Sequence, residues 1–158
     1  MPPIFSSLAA FFVLVSSAMA QSVPTEPLIL HMAKDGSGSE ITQLLKTNPT
    51  QRDVRTALGS TPLHLAAMNP DRSAMTALLA AGADPNARDA EGSTPIHMAA
   101  YASRSRYVRE LLEAGADPLI KNNQGRDATA MARKVKADEA AGVISLWLLK
   151  GCKAGKPC

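Results

Sequence analysis

Aromatic residues are scarce in this sequence, where they make up 4% of 158 residues. All three phenylalanines lie within the first dozen residues, which leaves Tyr101, Tyr107 and Trp147 for the rest of the chain. The pleated faces of a β-sandwich or barrel are filled by aromatic and β-branched side chains, so this composition argues against both. A core of Ala, Leu, Ile and Met suits closely packed helices. We therefore expect an all-α fold.

Acidic residues, lysine and arginine are all absent from residues 1–20. The apolar run from Ile4 to Val15 is too short to cross about 30 Å of hydrocarbon at about 1.5 Å per helical residue. The small residues Ala18 and Ala20 follow it, as in a signal peptide cleaved after Ala20, although no basic residue precedes the run. We expect a signal peptide at 1–20, a linker at 21–27, no membrane span after cleavage, and a periplasmic or, outside bacteria, secreted location.

The formal charge of +3 is unevenly distributed. Residues 21–120 carry nine basic and eleven acidic residues, whereas residues 121–158 carry eight basic and three acidic ones. The chain has neither a dense Lys/Arg stripe nor aromatic stacking platforms, so we expect no nucleic-acid partner. The basic C-terminal end is explained either as a solvated helix end or as a surface for an acidic protein or an anionic membrane.

A fixed period of 33 residues runs through the middle of the chain. Thr61–Ala67 recurs as Thr94–Ala100, and Gly82–Pro85 recurs as Gly115–Pro118. The leucine pair at 78–79 returns at the same spacing. These motifs resemble the ankyrin repeat, with its Thr-Pro-Leu-His helix start and Gly-Ala-Asp turn. The resemblance implies an α-solenoid of about four stacked helix-turn-helix repeats with β-turn fingers.

Weaker copies of the motif lie on both sides. Leu30–Lys34 falls one period before the first good helix start, and Gly125–Ala132 falls one period after the second. Terminal repeats of an array show one face to water, so degenerate ends are expected. We expect an ankyrin domain at 28–150, with two good repeats between two degenerate capping repeats, and a tail at 151–158.

The signature residues have structural roles. Thr61 and Thr94 can cap the first helix of a repeat, and the proline that follows each one fits the first helical position. Gly82 and Gly115 suit a left-handed helix terminus. The structural signature comprises Thr61, Pro62, His64, Gly82, Thr94, Pro95, His97 and Gly115.

His31, His64 and His97 are the only histidines, and they follow the same period. Stacked helices lie about 8 to 10 Å apart, whereas zinc ligands lie about 2 Å from the metal, so histidines one repeat apart cannot share an ion. The resemblance implies that each histidine forms hydrogen bonds within and between repeats. We expect no metal and no cofactor.

Both cysteines lie in the tail, at Cys152 and Cys158. In an oxidising compartment two nearby thiols tend to pair, which predicts a Cys152–Cys158 disulfide. A redox-active role is the less favoured alternative, because five residues separate the cysteines rather than two. The glycines and lysine of the tail have the wrong spacing for a phosphate-binding loop.

No catalytic constellation emerges, so we expect a protein-binding module and not an enzyme, monomeric when unbound. The ankyrin resemblance places partners on the concave surface formed by fingertips and first helices. Tyr101 is the strongest candidate there, because aromatic side chains dominate interface energetics. The candidate partner-binding residues are Met68, Asn69, Ala90, Glu91, Ser93, Tyr101, Ala102, Asn123, Gln124, Arg126 and Lys134, with Asp35, Leu58 and Ser60 beside them.

Two roles follow from the resemblance to exported ankyrin proteins. The first is an envelope protein that binds and inhibits or stabilises a partner, for example a self-protection (immunity) protein against an envelope-attacking enzyme. The alternative is an accessory protein for a periplasmic oxidative-stress enzyme such as a catalase. The sequence does not separate them.

Overall fold

The computed structural model describes residues 26–153, 155 and 156. Within them the chain forms eight α-helices in four antiparallel pairs and no strand, which confirms the all-α solenoid. The signal peptide, most of the linker and Cys158 lie outside the described residues. The helices are α1 (Leu28–Asp35), α2 (Gly38–Thr47), α3 (Pro62–Ala66), α4 (Arg72–Ala80), α5 (Pro95–Tyr101), α6 (Ser105–Glu113), α7 (Ala128–Lys134) and α8 (Asp138–Leu149).

The helices form two layers. The first helices of the repeats pack side by side, α1 against α3, α3 against α5 and α5 against α7. In the second layer α2 packs on α4, and α6 packs on α8. Glu110 joins the two halves of this layer, since its carboxylate accepts hydrogen bonds from Thr76 and Arg72 of α4 at 2.6 and 3.2 Å.

A short β-turn finger precedes each first helix from α3 onward. Each finger closes with a backbone bond across the turn, for example from Asp89 N–H to the Ser93 carbonyl at 3.0 Å. Neighbouring fingers are joined by backbone bonds of 2.9 Å, from Ala90 N–H to the Leu58 carbonyl and from Asn123 N–H to the Glu91 carbonyl. The fingers therefore form a continuous hydrogen-bonded row beside the first helices.

The two signature glycines end the second helices as predicted. Gly82 and Gly115 have φ of +80° and +105°, a conformation that strains any side chain with a Cβ. After α4, Gly82 N–H donates to the Leu79 carbonyl and Ala83 N–H donates to the Leu78 carbonyl, at 2.9 and 3.0 Å. This Schellman pattern satisfies carbonyls that the helix end leaves unpaired.

The core runs continuously from Ile29 to Trp147 and consists mainly of alanine and aliphatic side chains. Trp147 is 6% exposed, so it is a capping core residue rather than a surface anchor. Residues 21–158 therefore include every described residue of this core. The longest described helix, α8, has 12 residues, and none of the described helices combines the length and hydropathy that a membrane crossing needs.

The N-terminal repeat departs from the pattern in its turn. Where the good repeats have Gly-Ala-Asp, this repeat has Asn48 followed by a 3₁₀ turn at Pro49–Asp53. Proline at the start of the turn fixes φ and needs no donor. Arg52 then donates to the Ala81 carbonyl at 3.0 Å, which ties this turn to the end of α4 in the next repeat.

Candidate functional site

Two buried histidines fix the fingers against the first helices. His64 is 1% exposed, and its Nδ1 accepts a hydrogen bond from Thr61 N–H at 3.1 Å and contacts the Thr61 hydroxyl at 2.8 Å. Since Nδ1 accepts, the ring proton lies on Nε2, which donates to the Ser93 carbonyl of the next finger at 3.0 Å. The imidazole takes the place of the Glu or Gln of a capping box at the start of α3.

His97 repeats this arrangement one repeat later. Its Nδ1 accepts from Thr94 N–H at 3.2 Å, and its Nε2 donates to the Arg126 carbonyl at 3.0 Å. Burial lowers the pKa of both imidazoles, so both are held neutral. Each histidine therefore joins its own helix start to the finger of the following repeat.

His31 corrects the expectation that all three histidines act in this way. It lies exposed in α1, and its imidazole forms no hydrogen bond with any residue that the structure describes. One period before Thr61 the chain has Leu28, which cannot offer a hydroxyl to the ring. The degenerate first repeat therefore lacks the threonine–histidine pair.

We expect the free energy of unfolding to fall as the pH is lowered from about 7 to about 5. The pKa of histidine is about 6.5 in an unfolded chain, and burial lowers the pKa of His64 and His97 in the folded one. As the pH falls, the unfolded chain therefore binds a proton at each of these histidines at a higher pH than the folded chain does. Stability is thus complete above about pH 6.5 and falls by up to about 1.4 kcal/mol per pH unit for each histidine, until the pH reaches the folded-state pKa.

Urea unfolding of residues 21–158 at several pH values measures this loss. A His31→Gln variant is the control, because that side chain is exposed, and it should follow the wild-type profile. A stability that stays constant between about pH 7 and about pH 5 would contradict the assignment of two neutral, buried imidazoles.

Two of the predicted partner-binding residues are buried and do not belong to the binding surface. Asn69 is 2% exposed, and its amide donates to the Ala33 and Gly36 carbonyls at 3.1 and 3.0 Å, which ties the first repeat to the second. Ser93 is also 2% exposed, and its carbonyl accepts the His64 bond. These positions are free in the repeat pattern, but here each serves a junction between repeats.

The surface formed by the fingertips and the outer side of the first helices is called the concave face below. Met98 and Tyr101 lie three residues apart in α5, so they share one side of the helix. Tyr101 is 51% exposed, and Met68, one period earlier, is 43% exposed. Asp35 and Lys134, both exposed, occupy the same position in the first and last repeats. These four positions form a row along the first helices. The row is acidic at Asp35, apolar at Met68 and Tyr101, and basic at Lys134.

A second row was missed by sequence reasoning. Met32, Leu65, Met98 and Met131 follow the 33-residue period, and all four are half-buried along the first helices. Each packs on the core with part of its surface and leaves the rest open. The repeated spacing of apolar residues was the signal that could have found them.

The fingertips supply the other side of the concave face. Leu58 is 73% exposed, and Glu91 and Gln124 follow it at the same period, both exposed. The Asn123 amide donates to the Ala90 carbonyl at 3.0 Å, so these two candidates are bonded to each other across the fingers. Arg126 donates to the Gln124 side chain, and both Arg126 and Ala102 are half-buried.

The described residues form several clefts. One, of about 130 Å³, lies between α6 and α8 and is lined by Arg109, Glu113, Val143, Leu146, Trp147 and Lys150. Among the described residues no group of three or more His, Cys, Asp and Glu could hold a metal ion. Cys152 is half-buried and packs on the core, and its predicted disulfide with Cys158 stays a prediction.

Comparison with known proteins agrees with the architecture. A family model described as ankyrin repeats, in three copies, matches residues 29–128, which extend from α1 to the start of α7. The chain is 42% identical over 62 residues to human oxysterol-binding protein-related protein 1, and 39% identical over 62 residues to the rat and mouse proteins. That segment is 39% of this chain and 6% of each relative, so only a small part of those proteins is matched.

Proposed function

Because the chain belongs to the ankyrin repeat family, we propose that its concave face binds one partner protein in the cell envelope. Ankyrin repeats are protein-interaction modules, and the repeated helices of this chain hold a rigid surface for such contact. The observation that carries the proposal is the exposure of three apolar side chains on this face, Met68 and Tyr101 on the first helices and Leu58 at a fingertip. Exposed apolar side chains grouped on one surface are typical of interaction sites.

The charges of the face indicate what the partner offers. We expect the partner to place an apolar ridge against Met68 and Tyr101. We also expect the partner to place an acidic group near Lys134 and a basic group near Glu91. Such complementarity fixes orientation and speeds association more than it raises affinity. The exposed parts of Met32, Met98 and Met131 suit a partner ridge that matches the face imperfectly. The unbranched thioether side chain of methionine can adapt its shape to such a ridge.

The role in the envelope is inhibition or stabilisation of that partner, with self-protection against an envelope-attacking enzyme as the first candidate. Support comes from the signal-like residues 1–20 together with an array that offers a binding face. Capture of partners from envelope extracts on immobilised residues 21–158 distinguishes the roles. A captured hydrolase supports self-protection, whereas a captured catalase supports the accessory role in oxidative-stress defence.

We expect the double variant Tyr101→Ala, Glu91→Lys to lose the captured partner. Truncating a central aromatic residue costs about 2 kcal/mol or more of binding free energy, and the reversed charge adds repulsion. Calorimetry with the captured partner measures the change. Both side chains are exposed, so the circular dichroism melt should stay close to wild type.

Arg106→Ala is the matched control, since Arg106 is exposed on α6 in the second layer. It should leave the affinity within about 0.5 kcal/mol. If Arg106 proves critical and the Tyr101 variant binds normally, the partner contacts the second helices and the proposed face is wrong.

A further inference from the structure

The end of α8 carries an exposed group of leucines. Leu149 is 84% exposed, Leu146 is 52% exposed and Leu148 is 41% exposed. We define the C-terminal tip as these three leucines together with Lys150, Lys153 and Lys156. It lies in the second helix of the last repeat and just beyond it, where the Gly155 N–H donates to the Leu112 carbonyl of α6 at 3.3 Å.

The core does not require these leucines. Ala140, Ile144 and Trp147 form the buried stripe of α8 at the spacing of one helix side. Leu146 and Leu149 are three residues apart, and the helical angle of about 100° per residue places them on the opposite side. Two large aliphatic groups thus project into water from the last repeat that the structure describes.

Along the chain, the charged residues next to the leucines have one sign, and Glu113 of α6 is the acidic residue that lines a cleft with Leu146 and Lys150. Residues 140–158 contain three lysines and no aspartate or glutamate. All three lysines are exposed. The described residues form two ion pairs, Arg52 with Asp53 and Arg72 with Glu110, and neither pair includes these lysines. Apolar groups that project beside unpaired cations match the boundary of an anionic bilayer, where headgroup phosphates and acyl chains lie next to each other.

An acidic protein segment fits this end of the molecule less well. The nearest concave site is the cleft between α6 and α8, and Glu113 lines it together with Arg109. A bound acidic peptide would meet that carboxylate. Leu146 and Lys150 also line this cleft, whereas Leu149, Lys153 and Lys156 do not. An anionic lipid surface that contacts this outer part of the tip avoids the carboxylate.

We propose that the C-terminal tip docks the protein on an anionic phospholipid surface. Lys150, Lys153 and Lys156 contact the phosphates, while Leu146 and Leu149 enter the boundary between headgroups and acyl chains. The concave face lies in the other layer and stays open to a partner protein. This inference does not depend on the proposed partner binding.

The test is co-sedimentation of residues 21–158 with vesicles of phosphatidylcholine alone or with equimolar phosphatidylglycerol. The wild type should bind the anionic vesicles at least about tenfold more tightly, and added salt should weaken that binding. Replacing Leu146→Ser and Leu149→Ser together should reduce affinity at least about tenfold. The control pair Leu28→Ser and Leu119→Ser removes two exposed leucines outside the tip, at 56% and 59%, and should leave vesicle binding unchanged.

A second pair of variants tests the charges. Lys150→Glu with Lys153→Glu should reduce binding at least about twentyfold, whereas Lys34→Glu with Lys46→Glu, at the other end of the array, should not. Melts by circular dichroism confirm that each variant is folded. The proposal is overturned if the wild type does not bind anionic vesicles or binds both lipids equally. It is also overturned if the tip variants bind like their controls. Capture of an acidic protein that the tip variants lose while vesicle binding is unchanged would overturn it as well.

Discussion

Replacing His64 with alanine is expected to lower the free energy of unfolding by about 3 to 5 kcal/mol, a third or more of the stability of a typical domain. The change leaves the Ser93 carbonyl and the Thr61 N–H without their partner in a site closed to water. Each unpaired buried group costs about 1 to 3 kcal/mol, and the cavity left by the ring adds to that.

Urea unfolding of residues 21–158 measures this loss. His31→Ala is the control, since that ring is exposed and joins no finger to a helix. The two substitutions remove the same side chain from the same position of different repeats. If they cost the same, within about 0.5 kcal/mol, the hydrogen bonds of His64 do not hold the junction.

Gly38→Val is the second substitution with a large expected effect, about 3 kcal/mol of lost stability. A Cβ at Gly38 would lie 2.2 Å from the Ser73 carbonyl oxygen and 2.6 Å from its carbon, both backbone atoms that cannot turn aside. The Gly38 N–H also donates to the Ser73 hydroxyl at 2.8 Å, so α2 and α4 touch through their backbones here. The valine would push the two helices apart.

Gly142→Ala provides the opposite case. Gly142 lies within α8, and an added Cβ there has nothing within 4 Å. That variant should gain about 1 kcal/mol from helix propensity. Thermal melts of the two variants should therefore move in opposite directions. A Gly38→Val protein with wild-type stability would show that the first two repeats do not approach as closely as described.

The fold could be predicted from the sequence because each repeated residue has one local task. Proline at a helix start and glycine at a helix end act through their own backbone preferences, so Pro62 and Gly82 identify the helix ends without tertiary information. The 3₁₀ turn at Pro49–Asp53 could not be foreseen, because the repeat period predicts a turn there but not its hydrogen bonds.

The candidate site was harder to predict, since exposure depends on neighbouring repeats. Asn69 occupies a position that the pattern leaves free, and only the carbonyls of Ala33 and Gly36 make it a junction residue. Tyr107 is a similar case, because its hydroxyl donates to the Asn69 and Pro70 carbonyls at 2.8 and 3.0 Å. Tyr101 was predicted to lie on the binding surface, and it is 51% exposed.

The bonds between repeats have a kinetic consequence. His64 reaches 29 residues along the chain to Ser93, Tyr107 reaches 38 back to Asn69, and each of these bonds stays between adjacent repeats. Low sequence separation of contacts favours fast folding, since little loop entropy is lost before each contact forms. A growing chain can thus complete each junction once the next repeat has emerged, well before the rest of the array has been made.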